Sequence, residues 1–268
     1  MSEFTSHFGF HSIPFTCEVP IEKRFDAEPF SQAVDTLCRT VHRRMCAALI
    51  GPAGSGKTVT LRTLRQRLPE ARYQVRYLKV TDLSKRDMCR EIATVVHARP
   101  AGTYPALVRN LQERFASCMN IDGLRPVLII DEAHDMRPDV LSMIRLLTNF
   151  EMDSQLVVSI LLAGQPRLRT FLQRDTTADV ARRLAHCIPL RPLSREETTR
   201  YIQHRITIAG GSCLPFDTGA TEALYEISRG NMRAIDLLAL SSLEVAWQSG
   251  QKVVDATNVT EARRLSIP

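Results

Sequence analysis

Short runs of apolar and β-branched residues alternate, along the first 190 positions, with longer stretches in which apolar residues recur every three or four positions. The short runs predict buried strands at 47–50, 73–80, 127–130, 157–163 and 187–190. The longer stretches predict helices at 30–44, 57–68, 85–96, 104–117 and 138–150. This alternation is typical of an α/β fold in which helices flank a parallel sheet.

The pattern changes after position 190, where strand-like runs stop. Ser194 is suited to cap a helix that ends at Gly210 and Gly211, and helical patterns follow at 218–228 and 233–249. We therefore predict two domains: an α/β domain at 1–190 and a small helical domain at 191–268.

Composition favours a globular, mildly basic protein. The 268 residues are 44% hydrophobic, and 35 basic residues against 29 acidic ones give a net charge of +6. Only five of the basic residues are lysine; an arginine excess suits contacts to phosphate, although codon bias would produce it too. Because there is no signal-peptide pattern and no apolar run long enough to cross a membrane, we expect a cytoplasmic protein without a membrane partner.

The sharpest chemical signal is GPAGSGKT at 51–58, which follows a predicted strand and precedes a predicted helix. Its glycines allow backbone N–H groups to surround a phosphate chain, Lys57 adds a positive charge, and the Thr58 hydroxyl is suited to bind Mg²⁺. ATP and Mg²⁺ are therefore the expected cofactors. The predicted nucleotide-binding residues of this segment are Gly51, Pro52, Ala53, Gly54, Ser55, Gly56, Lys57, Thr58 and Val59.

A second signal, VLIIDEAH at 127–134, places acidic residues at the end of a buried strand. Asp131 is predicted to hold Mg²⁺ together with Thr58, and Glu132 to polarise the attacking water. The letters DEAH also suggest a helicase, but such enzymes need two RecA-like domains and this chain has one phosphate loop. We therefore interpret His134 as a partly buried residue at a helix start.

Together these motifs resemble those of a known family. The set comprises FGF at 8–10, PF at 14–15, the phosphate loop, IIDEAH, LLAGQPRL at 161–168, ARRLAHCIPLRPLS at 181–194 and GNMRAIDLL at 230–238. It is similar to AAA+ ATPases of the ExeA/TniB/TnsC group. The resemblance implies a P-loop AAA+ domain followed by a small C-terminal helical lid, and an enzyme that hydrolyses ATP.

The resemblance also implies three further site residues. Gln165 matches sensor 1, a polar residue near the γ-phosphate, although it could simply belong to a turn. Arg183, or its neighbour Arg182, matches the arginine finger that reaches a neighbouring subunit; the alternative is a solvated helix face. Arg233 matches sensor 2 of the lid, and the alternative is an ordinary first-turn arginine.

Two branches of the group imply different functions. Members that act in secretion continue into a membrane span and a periplasmic region, and we expect neither in this protein. The shorter branch comprises transposon target-selection ATPases, which assemble as rings or filaments on double-stranded DNA and recruit a transposase, with or without an adaptor protein. We expect that function, with backbone contacts from Lys79, Lys85 and Arg86, which could instead be a solvated helix start. A nucleotide-dependent switch that binds only protein is a third hypothesis.

Overall fold

A computed structural model describes residues 3–16, 19–80, 82–150 and 155–266. The chain divides into two compact units. The sheet unit is Glu28–Leu190, and the helical unit combines Met1–Ala27 with Arg191–Pro268. The division at 190/191 lies where the strand pattern stops, whereas the first 27 residues belong with the helices and not, as the sequence suggested, with the sheet.

The sheet unit contains five parallel strands in the order β2-β3-β4-β1-β5. Their bounds are β1 (Cys46–Ile50), β2 (Tyr73–Lys79), β3 (Arg125–Asp131), β4 (Ser159–Gly164) and β5 (Leu184–Pro189). Each strand predicted from an apolar run is present, and the α/β fold with a parallel sheet flanked by helices is confirmed.

Helices cover the sheet. They are α2 (Glu28–His42), α3 (Lys57–Arg67), α4 (Lys85–Val96), α5 (Tyr104–Asn120), α6 (Pro138–Leu141), α7 (Met143–Thr148), α8 (Pro166–Leu172) and α9 (Ala178–Ala181). The interior strand β3 is buried along nearly its whole length because helices exclude water from both of its faces. Leu128 and Ile130 are 0% exposed, and burial of each such side chain contributes about 2 kcal/mol.

One predicted helix is divided. The stretch 138–150 forms α6 and α7, which meet at Ser142. The Ser142 hydroxyl donates to the Pro138 carbonyl oxygen at 3.0 Å, a side-chain bond that competes with regular helix formation.

The helical unit contains α1 (Glu3–Phe8), α10 (Arg195–Ile208), α11 (Thr218–Ser228), α12 (Met232–Gln248) and α13 (Ala256–Ser266). Ser194 caps α10 as its sequence suggests: its side chain accepts from the Glu197 N–H, and the Glu197 carboxylate accepts from the Ser194 N–H. Helix α13, which the sequence pattern did not predict, packs with Val259 and Ala262 fully buried. No helix among the described residues is both long enough and apolar enough to cross a bilayer.

Candidate functional site

The glycine-rich loop leaves the carboxyl end of β1 and turns directly into α3. The Gly51 N–H donates to the Gly164 carbonyl oxygen of β4 at 3.1 Å, which fixes the start of the loop. Gly54 and Gly56 have φ angles of 76° and 89°, in the left-handed region that residues with a Cβ adopt at a cost. The glycines therefore allow a tight turn whose N–H groups lead into the amino end of a helix.

Two buried polar side chains inside the loop indicate what it can hold. Lys57 is 7% exposed, and its Nζ donates to the carbonyl oxygens of Gly51 at 2.9 Å and Pro52 at 3.0 Å. The Ser55 Oγ is buried without a hydrogen-bond partner among the described residues. A buried hydroxyl without a partner is costly, so a phosphate oxygen that accepted its hydrogen bond would stabilise the loop. The residues present therefore fit a nucleotide phosphate chain.

The remaining loop residues are more accessible. Thr58 and Val59, in the first turn of α3, are exposed, as is Ala53, and Pro52 is half-buried. Thr58 is thus accessible at the start of α3.

Asp131 ends β3 and is only 4% exposed. Its Oδ1 accepts from the Glu132 N–H at 2.8 Å, and its Oδ2 accepts from the Tyr77 hydroxyl at 2.9 Å. Burial, and then the hydrogen bond to Asp131, raise the pKa of Tyr77 to about 12, so the phenol remains a donor. No sequence pattern predicted this contact, since Tyr77 lies on the neighbouring strand β2 and 54 positions earlier in the chain.

Glu132 follows at a sharp turn with φ 55°, in the left-handed region. One of its carboxylate oxygens, Oε2, is buried and has no hydrogen-bond partner among the described residues. His134 Nδ1 lies 3.4 Å from it. His134 lies in the 3₁₀ turn Ala133–Asp135 and is 6% exposed, more deeply buried than the sequence suggested.

Gln165 follows β4 and is the N-cap of α8. Its backbone N–H points at His134 Nδ1, 3.4 Å away. Strand β4 pairs with β3 on one side and β1 on the other, with Ile130 opposite Leu162 and Ile50 opposite Gly164. The structure therefore brings the phosphate loop, Asp131, Glu132 and Gln165 to one edge of the sheet, where open α/β sheets bind ligands.

Arg182 and Arg183 lie at the other edge. Arg183 directly precedes Leu184, which pairs with Cys46, the first residue of β1, whereas the phosphate loop follows the last residue of that strand. Five residues of strand span roughly 16 Å, so this pair is separated from the phosphate loop of its own chain.

The three predicted DNA contacts differ in their surroundings. Lys79 is exposed at the carboxyl end of β2 and lines a groove of about 720 Å³ together with Glu132, Arg137, Gln165 and Arg167. Two of the three lie at the start of α4 and are engaged with the protein itself: Lys85 Nζ is 3.9 Å from an Asp139 carboxylate oxygen, and Arg86 donates to the Gly102 carbonyl oxygen.

Arg233 belongs to the helical unit. It is exposed in the first turn of α12, whose N-cap Asn231 accepts from the Ala234 N–H at 3.2 Å. The cap fixes the helix start, so the arginine leaves the helix at its amino end.

Sequence comparison adds a family and a relative. The sequence model described as AAA domain matches residues 39–172, half of the chain. The chain is 28% identical over 251 residues to general secretion pathway protein A of Aeromonas hydrophila. That match covers 92% of this chain and 45% of the relative, so the chain spans less than half of the relative's length.

Solved structures share the fold at low identity. Cdc6p of Pyrobaculum aerophilum has a TM-score of 0.72 at 17% identity, over 94% of this chain and 70% of that one. The Aeropyrum pernix ORC1 protein, solved in complex with DNA, has 0.62 at 16% identity, over 92% and 68%. The Thermotoga maritima RuvB Holliday junction branch migration motor has 0.59 at 16% identity, over 90% and 69%.

Proposed function

Because the chain belongs to the AAA domain family, we propose that it is a cytoplasmic, magnesium-dependent ATPase that assembles as a homo-oligomer on double-stranded DNA and recruits or activates a transposase at a target site. The observation that carries the hydrolytic part is the arrangement at one sheet edge. There the phosphate loop, whose buried Ser55 hydroxyl has no hydrogen-bond partner within the described part of the chain, lies next to the acidic pair Asp131 and Glu132.

Each residue at this edge has a distinct proposed role. The loop N–H groups and Lys57 bind the β- and γ-phosphates, and Thr58 and Asp131 are the residues that would hold Mg²⁺. When bound, the ion neutralises charge on the phosphate oxygens. Glu132 orients and polarises the attacking water, and Gln165 contacts the γ-phosphate as sensor 1.

The position of Arg183 supports hydrolysis that depends on assembly. An arginine at the edge opposite the phosphate loop has no route to the nucleotide of its own chain, but a neighbouring protomer can present it to that nucleotide. The helical unit would act as the lid, with Arg233 reading the nucleotide from α12.

A mixing experiment tests the shared site. We expect Arg183→Ala to lower ATP hydrolysis by about 10³-fold, as loss of an arginine finger does. Mixing it with inactive Lys57→Ala, which keeps Arg183, should restore activity, because each variant supplies what the other lacks. Arg182→Ala is the matched control and should retain activity; a failure to complement would contradict the shared site.

The DNA part rests on charge and on the similar proteins. The net charge of +6, exposed Lys79 at the same sheet edge, and the likeness to an ORC1 protein solved with DNA all favour contacts to the duplex backbone. Such contacts carry little sequence information, so target choice would fall to the transposase or an adaptor. Of the three predicted contacts, Lys79 is favoured because Lys85 and Arg86 have partners in the protein.

The matched relative supports a second candidate. A protein of the general secretion pathway is 28% identical over most of this chain, so an ATPase that acts on a secretion partner is the alternative. A nucleotide-dependent switch that binds only protein is the third hypothesis. Like the secretion ATPase, it predicts that duplex DNA does not change the rate of ATP hydrolysis.

The deciding experiment measures ATP hydrolysis with and without duplex DNA, at low and moderate salt. We expect DNA to raise the wild-type rate, and Glu132→Gln to abolish turnover while trapping a large ATP-dependent DNA complex. Moderate salt should weaken the DNA effect. If ATP is hydrolysed but DNA changes neither rate nor particle size, the DNA and transposase proposal is wrong and the protein-directed alternatives are favoured.

A pair of lysine variants tests the contact. Lys79→Ala should weaken DNA binding uniformly across sequences and reduce its salt dependence. Lys252→Ala removes an equally charged, exposed lysine of the helical unit and should leave binding unchanged. Equal effects of the two variants would show that Lys79 makes no specific backbone contact.

A further inference from the structure

His134 lies between two groups assigned to catalysis. Its Nδ1 is 3.4 Å from the Glu132 Oε2 and 3.4 Å from the Gln165 backbone nitrogen. Its Nε2 is 3.6 Å from the Asp135 Oδ1. The ring is thus bordered by the carboxylate that follows β3 and by the backbone that follows β4.

The packing around the ring keeps it there. His134 is 6% exposed, and a Cβ added at Gly164 would approach the His134 backbone nitrogen to 3.2 Å. The end of β4 therefore lies close to the backbone of the turn after β3, which places the ring beside both Glu132 and Gln165.

One ring nitrogen cannot satisfy both neighbours. Nδ1 either carries a proton and donates to Glu132 or presents a lone pair and accepts from the Gln165 N–H. In the structure the geometry favours the second bond, and the Glu132 Oε2 is buried without a hydrogen-bond partner among the residues that the structure describes. The contact therefore has two alternative arrangements that exclude each other.

We propose that His134 is a positioning residue that couples the orientation of the Glu132 carboxylate to the position of Gln165. In one arrangement Nδ1 carries a proton and donates a hydrogen bond to Oε2, which anchors that oxygen in the turn. In the other, the proton is on Nε2, which faces Asp135, and Nδ1 accepts the Gln165 N–H, so the Glu132 carboxylate is released. This inference rests on the proposed hydrolysis, in which Gln165 contacts the γ-phosphate.

Two isosteric variants separate the ring nitrogens. His134→Asn keeps a polar atom near the Nδ1 position, whereas His134→Gln places its polar atoms near Nε2. We expect His134→Gln to lower kcat by about 10-fold, as loss of such a supporting group does, with nucleotide Kd unchanged. His134→Asn should retain most of the wild-type kcat. Equal losses in the two variants, or a loss confined to nucleotide affinity, would overturn the proposal.

A spectroscopic measurement does not depend on turnover. In the full chain labelled with ¹⁵N-histidine, the His134 Nδ1 chemical shift reports whether that nitrogen is protonated. Glu132→Gln replaces the Oε2 acceptor and should shift the Nδ1 signal, whereas Glu91→Gln, at an exposed carboxylate of α4, should not. An Nδ1 signal that ignores Glu132→Gln would overturn the coupling. If the wild-type chain hydrolyses no ATP, the proposed function fails, while this measurement still tests the contact.

Discussion

Gly230 and Gly250 form a matched pair in the helical unit. Each follows the last turn of a helix, α11 for Gly230 and α12 for Gly250, and their φ angles are nearly equal at 74° and 71°. A Cβ at Gly250 would meet open space, whereas one at Gly230 would overlap the Leu193 carbonyl oxygen and lie 2.8 Å from its carbon. Replacing each by alanine therefore separates the cost of the backbone conformation from the cost of the clash.

The two costs can be compared directly. A left-handed alanine costs about 1–2 kcal/mol, and we expect about 1 kcal/mol for Gly250→Ala, which adds no clash. Gly230→Ala carries the same conformational cost, and its Cβ must also displace the backbone at Leu193. That displacement strains the 2.9 Å hydrogen bond from the Leu193 N–H to the Gly230 carbonyl oxygen. Since that bond contributes about 1 kcal/mol and backbone atoms cannot rotate away, Gly230→Ala should cost at least about 3 kcal/mol.

Urea unfolding followed by tryptophan fluorescence measures this difference. Trp247 is the protein's single tryptophan and lies on α12, so its emission reports the helical unit. Both variants should unfold with the wild-type m-value and at lower midpoints, with Gly230→Ala much lower. Equal midpoints for the two variants would refute the steric reasoning, because their φ angles are nearly equal and only Gly230 has a clash.

Two further substitutions test ionisable groups. Burial raises the pKa of Asp236 to about 6, although Arg205 and the Tyr201 hydroxyl act against the rise. Between about pH 4 and pH 6 the folded chain keeps a proton that the unfolded chain releases, so this carboxyl should lower stability by up to about 3 kcal/mol as the pH rises, and the effect is constant above pH 6. Asp236→Asn should remove that slope in urea unfolding at pH 4 to 7; an unchanged slope would show that another group causes it. Tyr77→Phe removes a donor to Asp131, and because Tyr77 is partly exposed and water can replace the hydroxyl, it should cost only about 1 kcal/mol of stability while raising the Mg²⁺ concentration needed for half-maximal hydrolysis. A Mg²⁺ titration identical to wild type would argue against a role for Tyr77 in orienting that carboxylate.

The features that the sequence predicted are those encoded by neighbouring residues. An apolar run followed by a glycine turn, as at Ile50 and Gly51, predicts a buried strand. It also predicts that the loop after the strand lies at the carboxyl edge of the sheet. The same holds for β3 and Asp131. Because all strands are parallel, each such segment contributes to the same edge, and the grouping of the phosphate loop with Asp131 and Gln165 follows without knowledge of strand order.

The features that the sequence did not predict depend on distant residues. The first 27 residues pack with the helical unit because Phe10 is 0% exposed there and stacks on Phe8, with a close approach to Gly211. His134 resembled an ordinary helix-start residue because its partner Gln165 is 31 positions away. Pairings of this kind are set by which strands become neighbours, and no local pattern reports them.

The two ends of β1 lie beside different parts of the proposed active site. Its carboxyl end carries the loop that would bind phosphate, and its amino end pairs with the residue after Arg183. A charge at the amino end lies far from the phosphate loop of its own chain, and in the proposed assembly of equivalent protomers it would face the nucleotide of the next protomer. In the proposed assembly, Glu132 and the arginine finger Arg183 would be contributed by different chains. If that arrangement holds, an isolated protomer binds nucleotide with its full loop and hydrolyses it slowly, so whatever orders protomers side by side, duplex DNA above all, also sets the rate.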